Sequence, residues 1–348
     1  MPPTPSQLEY RMPAEWELHS ATWLAWPHNK SSWPGKIELI PDIYVQMVKV
    51  LHEGEDVHIN VNDQAMENKV HEKLFRSGCN MKHVFLHQFP NNDAWIRDHG
   101  PIFVTRSLQN KKELAVTDWD FNKWGGKYPP WDLDNIVPEK IAKYLGVPAF
   151  RSRMILEGGS IDVNGNGYLL TTESCLLNKN RNPGMTKPEI EEQLKQYLGV
   201  SHILWLGDGI IGDDTDGHVD DLSRFVNTNT ILTVVEEDPR DENYKVLQDN
   251  LKRLSTMKDQ YGKAFTIIPL PMPGPVVYQD ERLPASYANF YIANKVVLVP
   301  TFKNLNDKKA LETLQNLFST RKVVGINATD LIWGLGAFHC LTQQQPAV

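Results

Sequence analysis

Cys340, eight residues from the C-terminus in GLGAFHCLTQQQP, is the most reactive side-chain type in this chain and has no partner cysteine near it. An isolated cysteine is most often a small buried hydrophobe. Here it closes VVGINATDLIWGLGAFHCLTQQQP, which reads as a strand, a loop and a glycine-lined turn. Gly334 and Gly336 admit a strained turn or the close approach of a ligand, and His339 is an adjacent polar group. One cysteine defines no chemistry alone, so the case for a nucleophile depends on what converges with it. The candidates are Asp98 in NDAWIRDHG, with Asp93, Arg97 and His99 beside it; Glu157 in LEGGS; His218 and Asp220 in GDDTDGHVDD; and Asn289 in LPASYANF.

Each candidate also has a plain structural reading. Asp98 could pair with Arg97, Glu157 could cap a turn, and His218 could be a satisfied loop histidine. The acids Asp213, Asp214 and Asp216 could form a solvated loop or, near a cation site, hold an ammonium. On an extended segment, His218 and Asp220 at i, i+2 project to one face. The glycines after Glu157 suggest close approach of a ligand.

Two chemistries compete with a cysteine nucleophile acting on a cation. A metal centre is one, since His, Asp and Glu are all ligands. His99 and His218 lack the HExxH-type helical spacing, and a thiolate is an odd member of a hard oxygen set. A Cys–His acyl hydrolase is the other, but it needs an oxyanion hole, and three carboxylates would oppose the oxyanion. They favour an electrophile that is itself a cation. Guanidinium is planar, permanently charged, and pairs bidentately with carboxylates.

The elements that must position these groups follow one repeated plan. An amphipathic helix, a short break and an apolar strand recur in NKVHEKLFRSGCNMKHVFLH, PEKIAKYLGVPAF, KPEIEEQLKQYLGVSHILWL, YKVLQDNLKRLSTMKDQYGKAFTIIPL and KKALETLQNLFSTRKVVGI. IPDIYVQMVKVLHEG followed by VHINV fits as well. Ile190, Leu194, Tyr197 and Leu198 share one helical face, and Gly146, Gly199 and Gly262 stand where left-handed C-caps are wanted. Between the units lie hairpin signals: GPIFVT with ELAVTDWDF, SIDVNGNGYLLTT, LSRFVNTNTILTVV and NFYIANKVVLVPTF. The pattern predicts an α/β architecture of repeated modules, and no Pro- or Ser-rich linker divides it, so residues 1–348 read as one domain. The candidate residues precede successive hairpins. Equivalent positions in repeats set around an axis face a common centre.

Composition narrows the function classes. With 348 residues, 41% of them hydrophobic, the chain can bury a large core. A net charge of −7 argues against nucleic acid and suits a cationic partner. No long apolar run predicts a membrane span, and MPPTPSQLEYRMPAEW has neither the basic start nor the apolar core of a signal peptide. Cys79, Cys175 and Cys340 are too scattered for a disulfide framework. The expected location is the cytoplasm.

The motifs NDAWIRDHGP, DWDFNKWGG, EGGSIDVNG, LLNKNRNP, DTDGHVD and HCLTQQQP, with the opening RMPAEWELHSATWLAWP, resemble the agmatine deiminase family of the guanidine-modifying (pentein) superfamily. The resemblance runs from about residue 10 to the C-terminus, in order. It implies a five-bladed α/β propeller of ββαβ modules and hydrolysis of agmatine to N-carbamoylputrescine and ammonia, a step of polyamine biosynthesis, with no cofactor and no metal. By motif it implies Cys340 as nucleophile and His218 as general acid/base, with Asp98 and Asp220 clamping the guanidinium and Glu157 holding it and aiding proton transfer. It further implies Asp214 as a substrate-contacting acid, Trp95 and Trp124 as walls for the aliphatic chain, and a homo-oligomer, dimer or larger. One departure is GLGAFHC where the family often reads GGGNIHC: Leu335, Ala337 and Phe338 are expected to narrow the pocket or alter which amine is accepted. Peptidyl-arginine deiminase, arginine deiminase, amidinotransferase and a non-catalytic polyamine-binding protein are the alternative readings.

Overall fold

Every helix–strand unit expected from the periodicity is present in the computed structural model, which describes residues 2–109 and 111–348. Strand β1 (His19–Ala25) leads through the helix Ile40–Leu51 to β2 (Asp56–Val61), then through the helix Gln64–Arg76 to β3 (Val84–Gln88), all parallel. Three similar units follow. Each is an antiparallel hairpin, a helix, and a parallel third strand: β4 (Ile102–Leu108), β5 (Lys111–Asp120), helix Val137–Leu145 and β6 (Ala149–Ile155); β7 (Asp162–Val163), β8 (Tyr168–Thr172), helix Lys187–Leu198 and β9 (His202–Leu206); β10 (Ser223–Asn227), β11 (Thr230–Val235), helix Tyr244–Thr256 and β12 (Thr266–Pro271). After a small pair, β13 (Val277–Tyr278) and β14 (Glu281–Arg282), a further unit consists of β15 (Tyr291–Ile292), β16 (Val296–Thr301), helix Asp307–Leu317 and β17 (Lys322–Asn327).

The last strand, β18 (Gln343–Pro346), runs antiparallel to β1, with Trp23 opposite Gln343. The first and last strands therefore pair in one sheet, of order β18-β1-β2-β3. Trp23 Nε1 donates to Gln345 Oε1 at 2.8 Å across this junction, and Gln343 Nε2 donates to the Pro101 carbonyl at 2.6 Å.

The helix Lys187–Leu198 illustrates how a unit is specified. Thr186 starts it, with Glu189 Oε2 accepting from the Thr186 backbone N–H at 2.8 Å. Ile190, Leu194 and Leu198 are buried at the i, i+4, i+8 spacing, and Gly199 ends the helix at φ 65°. Leu194→Ala would remove a fully buried side chain and cost about 2–5 kcal/mol. Gly146 likewise caps Val137–Leu145, at φ 67°. Gly262 does not cap a helix: Tyr244–Thr256 ends at Met257, and Gly262 instead serves a turn between Asp259 and Lys263. No helix among the described residues is long and apolar enough to cross a membrane.

The segment entering each hairpin carries the candidate groups. Asp98 precedes β4, Glu157 precedes β7, His218 and Asp220 precede β10, Asn289 precedes β15, and Cys340 precedes β18.

Candidate active site

Gly159 marks where these segments meet. A Cβ there would lie 2.6 Å from His218 Nδ1, 2.8 Å from Asp98 Oδ1 and 3.0 Å from Asp220 Oδ2. Its backbone N–H donates to Asp98 Oδ1 at 2.9 Å. A Cβ on Gly158 would lie 2.1 Å from the Arg97 carbonyl oxygen. The two glycines thus make room for protein groups, not only for a ligand. The same holds at the C-terminal loop, where a Cβ on Gly334 would strike the Trp33 indole at 2.4 Å and one on Gly336 the Trp95 ring at 2.6 Å.

Cys340 lies beside this meeting point, 6% exposed. Asn289 Nδ2 donates to its Sγ at 3.0 Å, and Asp220 Oδ2 lies 3.8 Å from the sulfur. Asn289 also bonds Asp221 Oδ1 at 2.9 Å, and its own Oδ1 accepts from the His339 N–H at 3.0 Å. One amide therefore ties the Cys340 loop to the His218–Asp221 segment. Behind it runs a buried chain of charge. His339 bonds Asp220 Oδ2 through Nδ1 at 2.6 Å and Glu15 Oε2 through Nε2 at 2.8 Å, so both ring nitrogens face carboxylates. Glu15 in turn accepts from Arg224 at 2.9 Å, and Arg97 donates to Gln344 Oε1 at 2.8 Å.

Burial and charge set the proton affinities. Burial, then the carboxylates of Asp220, Asp221 and Asp98, pushes the Cys340 thiol well above its ordinary value. Burial opposes a charge on His218, but Asp98 foremost, its Oδ1 3.7 Å from Nδ1, raises the imidazole well above the usual range. Burial also raises Asp98, with Asp220 and Glu157 adding to it. For Asp220 the desolvation is outweighed by the hydrogen bond from His339, which holds the carboxyl below its ordinary value. Glu15 is held well below its ordinary value against burial, chiefly by Arg224 and His339.

Glu157, fully buried, accepts from Arg181 Nε at 2.7 Å through one oxygen. Among the described residues its Oε2 has no hydrogen-bond partner, nor do Asp220 Oδ1 and the two ring nitrogens of His218. Unpaired buried groups of this kind are rare, because each forfeits its hydration without compensation. Asp220 lies beside the Cys340 thiol, and Glu157 and His218 lie beside that of Cys175. The two unpaired carboxylate oxygens suit a small planar donor of N–H groups.

A family model for the Porphyromonas-type peptidyl-arginine deiminases matches residues 11–346. The chain belongs to this family. An agmatine deiminase of Medicago truncatula is 37% identical over 99% of this chain and 98% of its own length. One of Pseudomonas syringae pv. tomato is 36% identical, with 99% and 97% covered. The solved agmatine deiminase of Enterococcus faecalis superposes with a TM-score of 0.91 at 34% identity, covering 99% of this chain and 98% of that one. The mixed α/β fold is therefore that of the guanidine-modifying deiminases.

In this family member the structure brings Asp98, Glu157, His218, Asp220 and Cys340 together and gives the other expected site residues more specific surroundings. Trp124 lies in the turn Lys123–Gly126, where Lys123, Trp124, Gly125 and Gly126 all have positive φ, an uncommon conformation for the two non-glycine residues. That turn delivers its indole N–H to Asp98 Oδ2 at 2.9 Å. Trp124 thus holds an acid. Trp95 packs on Trp33, with ring centroids 5.0 Å apart. Asp214 is half-buried, 3.2 Å from Lys127 Nζ, and accepts from the Tyr128 hydroxyl. Of the other loop acids, Asp213 accepts from the His218 N–H at 3.0 Å and Asp216 pairs with Arg181 at 2.5 Å. The acid run is internal scaffolding in large part, not a solvated loop. Ala337 and Phe338 are fully buried, and Leu335 adopts φ 69°.

Sequence reasoning assigned no role to Arg181, Glu15 or Cys175. Arg181 joins Glu157 to Asp216 and donates to the Thr215 carbonyl at 2.8 Å, clamping the loop that carries His218. Its place in LLNKNRNP was the available signal. Glu15 lies more than three hundred residues from the His339 it bonds, and nothing local marks it as internal.

Proposed function

We propose that this chain hydrolyses agmatine to N-carbamoylputrescine and ammonia through a covalent thiouronium on Cys340. The observation that carries the reading is a buried thiol 3.8 Å from Asp220, in a cluster whose Asp220 and Glu157 each keep one unpaired oxygen. Carboxylates make this sulfur a poor nucleophile toward neutral electrophiles and a good one toward a bound cation, which lowers its pKa as it arrives. Asp98 and Asp220 clamp the guanidinium, and Glu157 accepts from a further N–H.

The thiolate attacks the guanidinium carbon to form a C–S bond and a tetrahedral adduct. Protonated His218 gives its proton to the departing nitrogen, the C–N bond breaks, and ammonia leaves the thiouronium. Neutral His218 then takes a proton from water. The resulting hydroxide adds to the same carbon. As the C–S bond breaks, the added hydroxyl gives its proton to Glu157 and thence to solvent, where it ends on the released ammonia. The carbamoyl product leaves with Cys340 as thiolate and His218 protonated. Water is the only co-reactant and no electron is transferred. Asp214 is the acid we assign to the far ammonium, with Trp95 and Trp124 flanking the methylenes. Asp214 meets that ammonium in exchange for Lys127.

The burial of every catalytic group favours a small substrate over an arginine within a polypeptide. The five sheet units, the fifth closed by β18 and β1, read as blades of a five-bladed α/β propeller with the site on its axis. We assign the enzyme to the cytoplasm as a homo-oligomer, with a role in polyamine synthesis. The deciding assay is ammonia release from agmatine, arginine and a blocked arginine peptide by the wild type and by Cys340→Ala. Turnover of agmatine alone, abolished in the variant, is expected. Equal turnover of the peptide, or more than a few per cent of activity in folded Cys340→Ala, would overturn the reading.

A further inference from the structure

Cys175 is fully buried and has no part in the proposed reaction, yet it borders the catalytic groups. It sits in the turn Glu173–Leu176 after β8, where Thr172 caps the turn by accepting from the Cys175 N–H at 3.3 Å. The ligand atoms of Glu157, Cys175 and His218 all lie within 4.8 Å of one another. Among the described residues Glu157 Oε2 is buried without a partner, and His218 faces the Cys175 thiol.

We propose that Glu157, Cys175 and His218 form an inhibitory site for a single thiophilic divalent cation, Zn²⁺ fitting best. A carboxylate, a thiolate and an imidazole are the ligand types zinc prefers. With bonds of about 2.0–2.3 Å, tetrahedral zinc holds its ligand atoms roughly 3.3–3.8 Å apart, so the present cluster need contract by only about 1 Å. Arg181 occupies the other Glu157 oxygen at 2.7 Å, leaving Oε2 to the metal. Two anionic ligands neutralise the ion's charge, and water or Asp98 completes the shell. Bound zinc takes the His218 nitrogen and the Glu157 oxygen from the reaction and blocks the guanidinium. The inhibitory half rests on the roles proposed for these two residues; the metal site itself does not.

The test uses the full-length protein freed of metal. Zinc binding is measured by equilibrium dialysis against a nitrilotriacetate buffer, cobalt binding by absorption, and inhibition by ammonia release from agmatine. One zinc per chain is expected in the wild type and in Cys340→Ser, with a sulfur-to-cobalt charge-transfer band in both. Cys175→Ser should lose that band and weaken zinc at least about a hundredfold, since even outer-shell changes cost ten- to a hundredfold. Inhibition should compete with agmatine, reverse with chelator, and weaken in Cys175→Ser by the same factor relative to its own metal-free rate. No sulfur-to-cobalt band in the wild type, or zinc binding undiminished in Cys175→Ser, overturns the site without touching the deiminase reading. Stoichiometric binding with full activity overturns the inhibitory claim and, with it, the catalytic roles of His218 and Glu157.

Discussion

Cys340 should discriminate reagents by charge. Chloroacetamidine and chloroacetamide have nearly the same shape and the same leaving group, but only the amidine is a cation. The sulfur lies 3.8 Å from Asp220 Oδ2, and burial with Asp220, Asp221 and Asp98 raises its pKa well above 9.0. A unit charge about 4 Å from an opposite charge gains about 1 kcal/mol in water and about 4 kcal/mol at an effective dielectric constant of 20. That corresponds to one to three powers of ten, and a largely desolvated site belongs toward the upper end. The amidine-to-amide rate ratio at Cys340, divided by the same ratio for a free thiol, should therefore be about a hundred or more. Cys79 faces no such carboxylate set, and its ratio should stay near one. The assay is peptide mass mapping of all three cysteines over time. For the amide, the rate should climb about tenfold per pH unit through pH 9, because the thiolate fraction is still rising there. For the amidine it should be flatter, since the reagent itself favours the thiolate. Asp220→Asn should slow the amidine and speed the amide, as one carboxylate attracts the cation and suppresses the thiolate. A normalised ratio near one, or both rates moving the same way in Asp220→Asn, would refute this electrostatic account.

Agmatine should exceed arginine by at least about a hundredfold in kcat/KM, because an added carboxylate beside Asp214 is a partly desolvated like-charge contact costing several kcal/mol. Asp214→Asn should weaken agmatine more than butylguanidine, and an equal loss would remove Asp214 from the amine end. Arg181→Met should strand Glu157 and Asp216, cost about 3–5 kcal/mol in urea unfolding and lower kcat; Arg181→Lys should restore more stability than turnover, because lysine keeps the charge but not the fork. His58 and His87, 2.7 Å apart and buried, have pKa values lowered to about 4, by desolvation first. Their unfolded values lie near 6.5, so stability is fully present above about pH 6.5 and falls by about 1.4 kcal/mol per pH unit per histidine toward pH 4. Unfolding from pH 4.5 to 7.5 should show this slope, and His58→Leu with its slope unchanged would exclude the pair as its source.

The amphipathic helices and the strands after them were legible because periodicity records which face is buried. The hairpins were legible from their turns, as at Asn227–Thr230, and Asp98, Glu157, His218 and Asp220 from their matching places ahead of those hairpins; Cys340 stood out only as a lone cysteine in a glycine-lined loop. Gly146 and Gly199 were legible as caps because each directly follows a periodic helix. Gly262 was not, since it stands several residues beyond the end of one.

What the amino-acid sequence determined by itself is therefore local: element type, element order, and which reactive side chains enter each unit. Tertiary structure alone decided who faces whom. Gln343–Pro346 is too polar to read as a strand. It becomes one because β1 supplies its partners from the other end of the chain and Pro101 accepts from a buried amide of Gln343. Likewise Asp213 and Asp216 read as a solvated acidic loop until Arg181 and the His218 backbone are brought against them. Gly158 and Gly159 read as room for a ligand until the Arg97 carbonyl and the side chains of Asp98, His218 and Asp220 arrive. The physical reason is common to all of these. A polar group's role depends on its partner and its desolvation, and both are set by contacts between segments far apart in the chain.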